Sequence, residues 1–406
     1  MTREEYRAEK ERRAREKLRL KRAQETEQAT LKAAKGRMDI PFLLLTLLLT
    51  AIGLVMVFSA SFPSAYAESG DPAYYFKRQA IFAVIGIAAM FGISKFTYQR
   101  WRGAAKILLG FSVFLLILVI IPHVGVTVNN ATRWLGKPGV FTFQPSEIAK
   151  LGVIVFFADS ISKKRDKMRT WRYGIWPYLA VLGMISVLML LEPHLSGTIL
   201  IVGTGVVMMI VGGIRAWLVG LGLGGGFAAA FGYVKLVEAG RITYGSSRIA
   251  MWHDPWIDAG DEGYQMVQSL IAIGSGGLLG VGLGKSRQKF LYLPEEHNDC
   301  IFAIVCEELG LIGACVIMLI FALLIIRGFW IALHARDRFG SLLVVGIITH
   351  IALQTFLNIA VVSGLVPATG ISLPFFSYGG TALALQLFEM GIVLSVSRQI
   401  PAPRNG

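Results

Sequence analysis

Charge is what this chain has least of. Only 16% of its 406 residues are Asp, Glu, Lys or Arg, while 54% are hydrophobic. A soluble globular protein is about 25% charged and about 45–50% apolar, so an ordinary soluble enzyme and a disordered chain are both excluded. Strand-type alternation is absent, which argues against an outer-membrane barrel. Cysteine is scarce. Cys300, Cys306 and Cys315 make no disulfide framework and read as small core residues of one apolar run. No cleavable leader is expected, because the first apolar run begins near Ile40 after a long charged stretch. No internal repeat of the transporter kind is visible. Lys285-Ser286 follow Gly284, but the phosphate-loop pattern needs a glycine where Leu279 stands, so no ATP site is expected.

What is present is a series of apolar runs, at about 40–60, 79–96, 104–122, 147–162, 174–191, 195–213, 215–234, 300–326, 340–363 and 379–397. A spanning helix needs roughly 20 apolar residues. The expectation is therefore an all-α polytopic membrane protein with ten transmembrane helices. Residues 1–38 hold 13 Lys/Arg against 7 Glu and read as a charged cytoplasmic tail near anionic lipid, not as a nucleic-acid binder. Assigning the basic connections to the cytoplasm places 29 of the 40 Lys/Arg there, with both termini inside. The membrane domain then covers 39–398, and 399–406 form a short cytoplasmic tail. Glu192-Pro193-His194 makes a tight connection between the fifth and sixth runs. Residues 235–299, between helices 7 and 8, form one large extracytoplasmic loop. A connection that long is usually functional or disordered. Its aromatics and the apolar stretch Met266–Leu283 argue against disorder, and Met266–Ile273 is expected to form a short amphipathic helix.

The densest polar cluster outside the tail runs from Lys289 to Asp299, with Glu295 and His297 between. Asp299 either caps the eighth helix or is a reactive carboxylate at the outer membrane face. Asp299, Ala303, Cys306, Gly310 and Gly313 fall on one helical line, a small-residue stripe facing protein or a cavity. Ionisable residues at membrane depth read as functional by default; here they are Glu147, Lys150, Glu307, Glu308 and Glu389. His350, Gln354 and Asn358 make one polar stripe on the ninth helix, as inter-helix glue or as the lining of a hydrated cavity. Arg133-Trp134 suits a lipid phosphate, a sugar or a plain interface anchor.

Taken in order, these residues resemble the SEDS family (shape, elongation, division and sporulation), whose members include FtsW, RodA and SpoVE. The likeness extends from Asp39 to Arg398. It includes Gly53–Ser61, Arg133-Trp134, Phe143–Glu147, Ala149-Lys150-Leu151, Gly263-Tyr264-Gln265, Gln268-Ser269-Leu270 and Gly274–Gly277. It goes on through Leu293-Pro294-Glu295, Glu307–Gly310 and Leu373–Gly380. Gly282–Lys289 is more similar to FtsW and SpoVE than to RodA. The resemblance implies ten-helix glycosyltransferases of the bacterial cell membrane, septal in the FtsW type, that polymerise lipid II beside a class B penicillin-binding protein. Other division or sporulation membrane proteins are the remaining expected partners. It maps the essential aspartate of the long external loop onto Asp299. The family usually reads His-Thr-Asp-Phe where this chain has His297-Asn298-Asp299-Cys300, and many members are acidic where His194 stands.

The expected chemistry is removal of a proton from the acceptor hydroxyl by Asp299 as it attacks the donor's anomeric carbon. A good pyrophosphate leaving group makes a second acid non-obligatory but needs its charge stabilised. Substrate-binding candidates are Arg133, Trp134, Lys150, Arg248, Lys289, Glu295, His297 and Ser377. A divalent cation, Mg or Mn, is a candidate cofactor near Glu295, His297 and Asp299, although no spacing demands one. Two competing readings are a lipid II flippase, needing no catalytic base, and a scaffold that tolerates loss of Asp299.

Overall fold

The computed structural model describes residues 38–400 except 129–130, 138–140, most of 216–245, and 262. The charged tail, the expected seventh run at 215–234 and the end of the C-terminal tail lie wholly or mostly outside the described residues.

The chain is built from helices in the order the apolar runs suggest. They are α1 (Ile40–Ser69), α2 (Tyr74–Ser94), α3 (Arg100–Ile120), α4 (Pro145–Lys164), α5 (Trp176–Leu191) and α6 (Leu195–Val211). After the long connection come α9 (Ile301–Leu333), α10 (Arg338–Val362) and α11 (Gly380–Ser397). A single π-helical turn, Trp171–Ile175, leads into α5. Seven of these segments are long and apolar enough to cross a membrane; α6 is apolar but shorter. The long connection holds α7 (Ser246–His253) and α8 (Tyr264–Ser275), the latter over the stretch expected to be amphipathic.

The first correction is a small sheet in an otherwise helical chain. Between α3 and α4, β1 (Val126–Val128), β2 (Ala131–Lys137) and β3 (Phe141–Phe143) pair antiparallel in the order β1-β2-β3. Trp134 stands opposite Val126, and Leu135 is buried against α3 with Leu115 and Val119.

Helix ends are fixed by acids that do double duty. Asp39 caps α1 by accepting from Phe42 N at 3.0 Å and also binds the Arg327 guanidinium at 2.7 Å. Asp337 caps α10 through Gly340 N at 2.9 Å and holds Tyr98 and Arg102 of the α2–α3 corner. Such caps satisfy the orphan amides of a helix's first turn.

The second correction concerns α9. It is not one continuous helix: Gly310 has φ 68° and ψ −172°, a conformation open in practice only to glycine. The glycine-rich segment after α8 repairs the break. Val281 N and Gly282 N donate to the carbonyls of Glu307 and Glu308, while Leu311 N and Ile312 N donate to those of Gly277 and Leu278. Backbone at membrane depth must find such partners, because no water is there to supply them. The small-residue stripe below Asp299 is therefore interrupted at Gly310, where the chain meets Gly280 and Leu278.

Candidate active site

Asp299 lies in the turn that leads into α9. It does not cap that helix: Cys300 occupies the cap position and no side chain makes a cap bond there. The turn is closed by Asn298 N and Cys300 N, which both donate to Glu295 O. Glu295 has φ 54°, the left-handed region that non-glycine residues avoid.

Three consecutive carbonyls of this turn are each held from outside it. His297 O accepts from Tyr378 N at 2.8 Å, Asn298 O from Ser377 Oγ at 2.7 Å, and Asp299 O from Asn358 Nδ2 at 2.8 Å. The second hydrogen of the Asn358 amide goes to Ile371 O at 2.6 Å. Gln79 of α2 ties the far side, donating to Ser377 O and accepting from Gly379 N, both at 3.1 Å. With its backbone held, Asp299 presents a half-buried carboxyl that takes no hydrogen bond among the described residues. Gly370, at φ 68°, packs against it so closely that a Cβ there would stand 3.1 Å from Oδ2. Burial lifts the Asp299 pKa to about 6, with Glu295 pushing the same way and Arg133 and His297 opposing.

The expected substrate residues fall in four settings. Arg133, on β2, donates from Nε to Glu192 O at 3.3 Å and from its terminal nitrogen to Pro193 O. Its charge is felt by Asp299, Glu192 and His194 together. Trp134 is half-buried beside it. His297 and Glu295 belong to the Asp299 turn. The His297 ring lies 4.4 Å from that of Tyr75 and 5.7 Å from that of Tyr378, with Nδ1 3.3 Å from Glu296 Oε1. Lys150 is deeper, ion-paired to Glu147 at 2.7 Å and lining a narrow gap with Thr204 and His350. Arg248 is carried by α7, but its side chain lies outside the described residues.

Lys289 and Ser377 are expected substrate ligands whose polar atoms are engaged within the protein. The Lys289 ammonium is buried and bonded to Glu308 Oε1 at 2.9 Å and to Ser59 Oγ at 3.3 Å. The Ser377 hydroxyl donates to Asn298 O and accepts from Leu373 N at 2.7 Å. Both are spent on internal ties. Among the described residues, no three His, Cys, Asp or Glu side chains converge to hold a metal ion.

One group went unremarked as a site residue in sequence. Glu192, after α5, is 2% exposed, and neither carboxyl oxygen has a hydrogen-bond partner among the described residues. Burial lifts its pKa to about 8, with Arg133 pulling the other way. His194, two residues on, is pushed down to about 3 by burial and then by Arg133 and Lys150, so its ring is neutral. Gln144 Nε2 stands 3.4 Å from both ring nitrogens. The signal available in sequence was an acid in a two-helix turn at the same membrane face as Asp299.

A bundle of apolar helices with an isolated carboxyl and an arginine at one end defines a multi-pass membrane protein with a polar site at its rim. The chain belongs to the FtsW/RodA/SpoVE cell cycle protein family, whose model matches residues 40–401. It is 46% identical over 361 residues to stage V sporulation protein E of Bacillus subtilis, covering 89% of this chain and 97% of that one. It is 41% identical over 367 residues to the probable peptidoglycan glycosyltransferase FtsW of Geobacter sulfurreducens, covering 90% and 96%. Among solved structures, a chain of a peptidoglycan synthase complex that coordinates polymerization and crosslinking aligns with TM-score 0.73 at 28% identity, covering 89% and 98%. The rod shape determining protein RodA of Thermus thermophilus aligns with TM-score 0.65 at 28% identity, covering 90% and 98%.

Proposed function

We propose that this chain is a peptidoglycan glycosyltransferase of the bacterial cell membrane that polymerises lipid II, with Asp299 as its general base. The observation that carries this reading is the Asp299 carboxyl itself. It caps nothing, takes no hydrogen bond among the described residues, and sits on a turn whose carbonyls are held at three successive positions. A base poised near the working pH is the efficient one, and the Asp299 pKa of about 6 meets that condition.

The acceptor hydroxyl gives its proton to Asp299 while its oxygen attacks the donor's anomeric carbon. Attack from one face on an α-linked donor gives the inverted, β-linked product. Arg133 faces the leaving pyrophosphate and offsets its growing charge. Trp134, Arg248 and Glu295 are the further contacts proposed for sugar and phosphate, and His297 holds the turn against Tyr75 and Tyr378. Lys150 acts from below, through its pairing with Glu147. Any Mg or Mn enters with the substrate's pyrophosphate rather than in a cage of protein ligands. Ten spanning helices, cytoplasmic termini and a septal or spore-cortex site of action are part of this proposal; the relatives' names, a sporulation protein and a probable peptidoglycan glycosyltransferase, support its cell-wall chemistry. The synthase-complex neighbour supports a class B penicillin-binding protein as partner.

The buried Lys150–Glu147 pair and His350 near it are what favour the second reading, a lipid II flippase. The test is purified chain with its cognate transpeptidase, fed labelled lipid II beside Asp299→Asn. Glycan strands from wild type and none from the folded variant support the polymerase. No strands from either, with lipid II crossing vesicles that contain wild type, overturns it in favour of transport.

A further inference from the structure

Besides Asp299, Glu192 is an acid near this site whose carboxyl does no structural work among the described residues. Its backbone carbonyl receives Arg133, but its two carboxyl oxygens are buried and have no partner among the described residues. An ionised carboxylate left so is costly by several kcal/mol, and a neutral carboxyl less so. As a carboxylic acid it is a donor with nothing among the described residues to donate to, which is the condition of a group waiting for a ligand. The turn that carries it is joined to Asp299 across one loop. Ser196 donates to Thr369 O, and the next residue, Gly370, packs on Asp299 Oδ2. Arg133 lies within electrostatic reach of both carboxyls.

Resting on the polymerase reading above, we infer that Glu192 is the general acid of the reaction, giving its proton to the departing pyrophosphate. As the C1–O bond to pyrophosphate breaks and C1 bonds to the acceptor oxygen, Asp299 takes the acceptor's hydroxyl proton and Glu192 releases its own to the leaving oxygen. Both carboxyls then stand in the reverse state. One proton lost from Asp299 to solvent and one regained by Glu192 restore them, so the net transfer is from acceptor hydroxyl to pyrophosphate. Arg133, which acts on both carboxyls, meets the phosphate charge that proton transfer does not cancel.

The protonation states suit these roles. Burial puts Glu192 near 8 and Asp299 near 6, so at neutral pH the first holds its proton and the second has lost it. Two carboxyls driven apart by their surroundings mark an acid and a base. Arg133 acts on both carboxyls, Glu295 and His297 act on Asp299, and His194, two residues from Glu192, is acted on by Arg133 and Lys150.

The test is the initial rate of strand synthesis against pH for wild type, Glu192→Gln and Asp299→Asn, each with the cognate transpeptidase and labelled lipid II. Wild type should rise through about 6 and fall above about 8. Glu192→Gln should be about 100-fold slower at neutral pH, keep the rise and lose the fall. A residue that merely shaped the turn would lower both limbs together. If the folded variant keeps both limbs, or wild type shows no fall above about 8, this inference is overturned; the second result needs no variant. If wild type makes no strands, the polymerase reading fails and takes this inference with it. Strands from wild type with unaltered Glu192→Gln defeat the inference alone.

Discussion

The first nine residues of α9 lie between two departures from helical structure, and the acids beside them have opposite fates. At the upstream turn, donors from α10 and from the segment before α11 hold backbone carbonyls, and the Asp299 carboxyl is left over. At the downstream break, the carboxyls themselves are the fasteners. Glu307 accepts from Ser286 Oγ, Arg287 N and Gln288 N, while Glu308 accepts from Ser59, Ser286 N and Lys289. The oxygens of these two carboxyls are already engaged by donors that hold the break together. A carboxyl spared that duty is free for chemistry. Acidity along a motif therefore says less than which oxygens are already engaged.

Breaking the downstream fastener should have the largest effect on stability. Glu308→Ala leaves the Lys289 ammonium buried and unpaired, and loss of one partner of a buried pair costs about 3–5 kcal/mol. A strongly lowered melting temperature in detergent is expected. Next is Asn358→Ala, which removes the donor to Asp299 O and Ile371 O and should cost about 1–3 kcal/mol. It should also slow strand synthesis more than its loss of folded protein explains, because it loosens the turn that carries the base. Gly370→Ala places a side chain against Asp299 Oδ2 at φ 68°, with a backbone cost of about 1–2 kcal/mol. It should reduce turnover while the downstream fastener is untouched, which hydrogen exchange over 280–289 would report.

The smallest effect is on stability against pH. The Asp299 carboxyl is raised from 3.8 to about 6 by folding. The unfolded chain loses this proton first, so between those values the folded state holds it alone. The stability it contributes is present at low pH and lost as pH rises through about 6. Asp299→Asn should flatten that part of a melting-temperature profile, and an unchanged profile would contradict the buried setting.

Much of this was legible in the sequence, and the failures have physical causes. Apolar length alone located α1 to α6 and α9 to α11, because a hydrocarbon layer demands it, whereas α7 lies in none of the apolar runs. Asp299 stood out as an acid at the end of an apolar run. The sheet was missed because β1 and β3 have only three residues each, too few for alternation to register. The break at Gly310 was hidden inside Leu309–Ile312, which reads as uninterrupted apolar helix; only the distant glycines at 276–284 make it stable. Lys289 read as a substrate cation because its partners, Ser59 and Glu308, reach it only through the fold. Glu192 was taken as part of a connection, since sequence does not show which buried acids lack donors.

The most direct measurement compares strand synthesis per folded molecule for Asp299→Asn and Glu308→Gln, each purified with its transpeptidase and supplied with lipid II. The account predicts no strands from the first, although it folds and binds its partner. It predicts strands from whatever fraction of the second is folded, although it melts earlier. Strands from Asp299→Asn at the wild-type rate, or none from folded Glu308→Gln, would contradict the division of labour between the two ends of this helical segment.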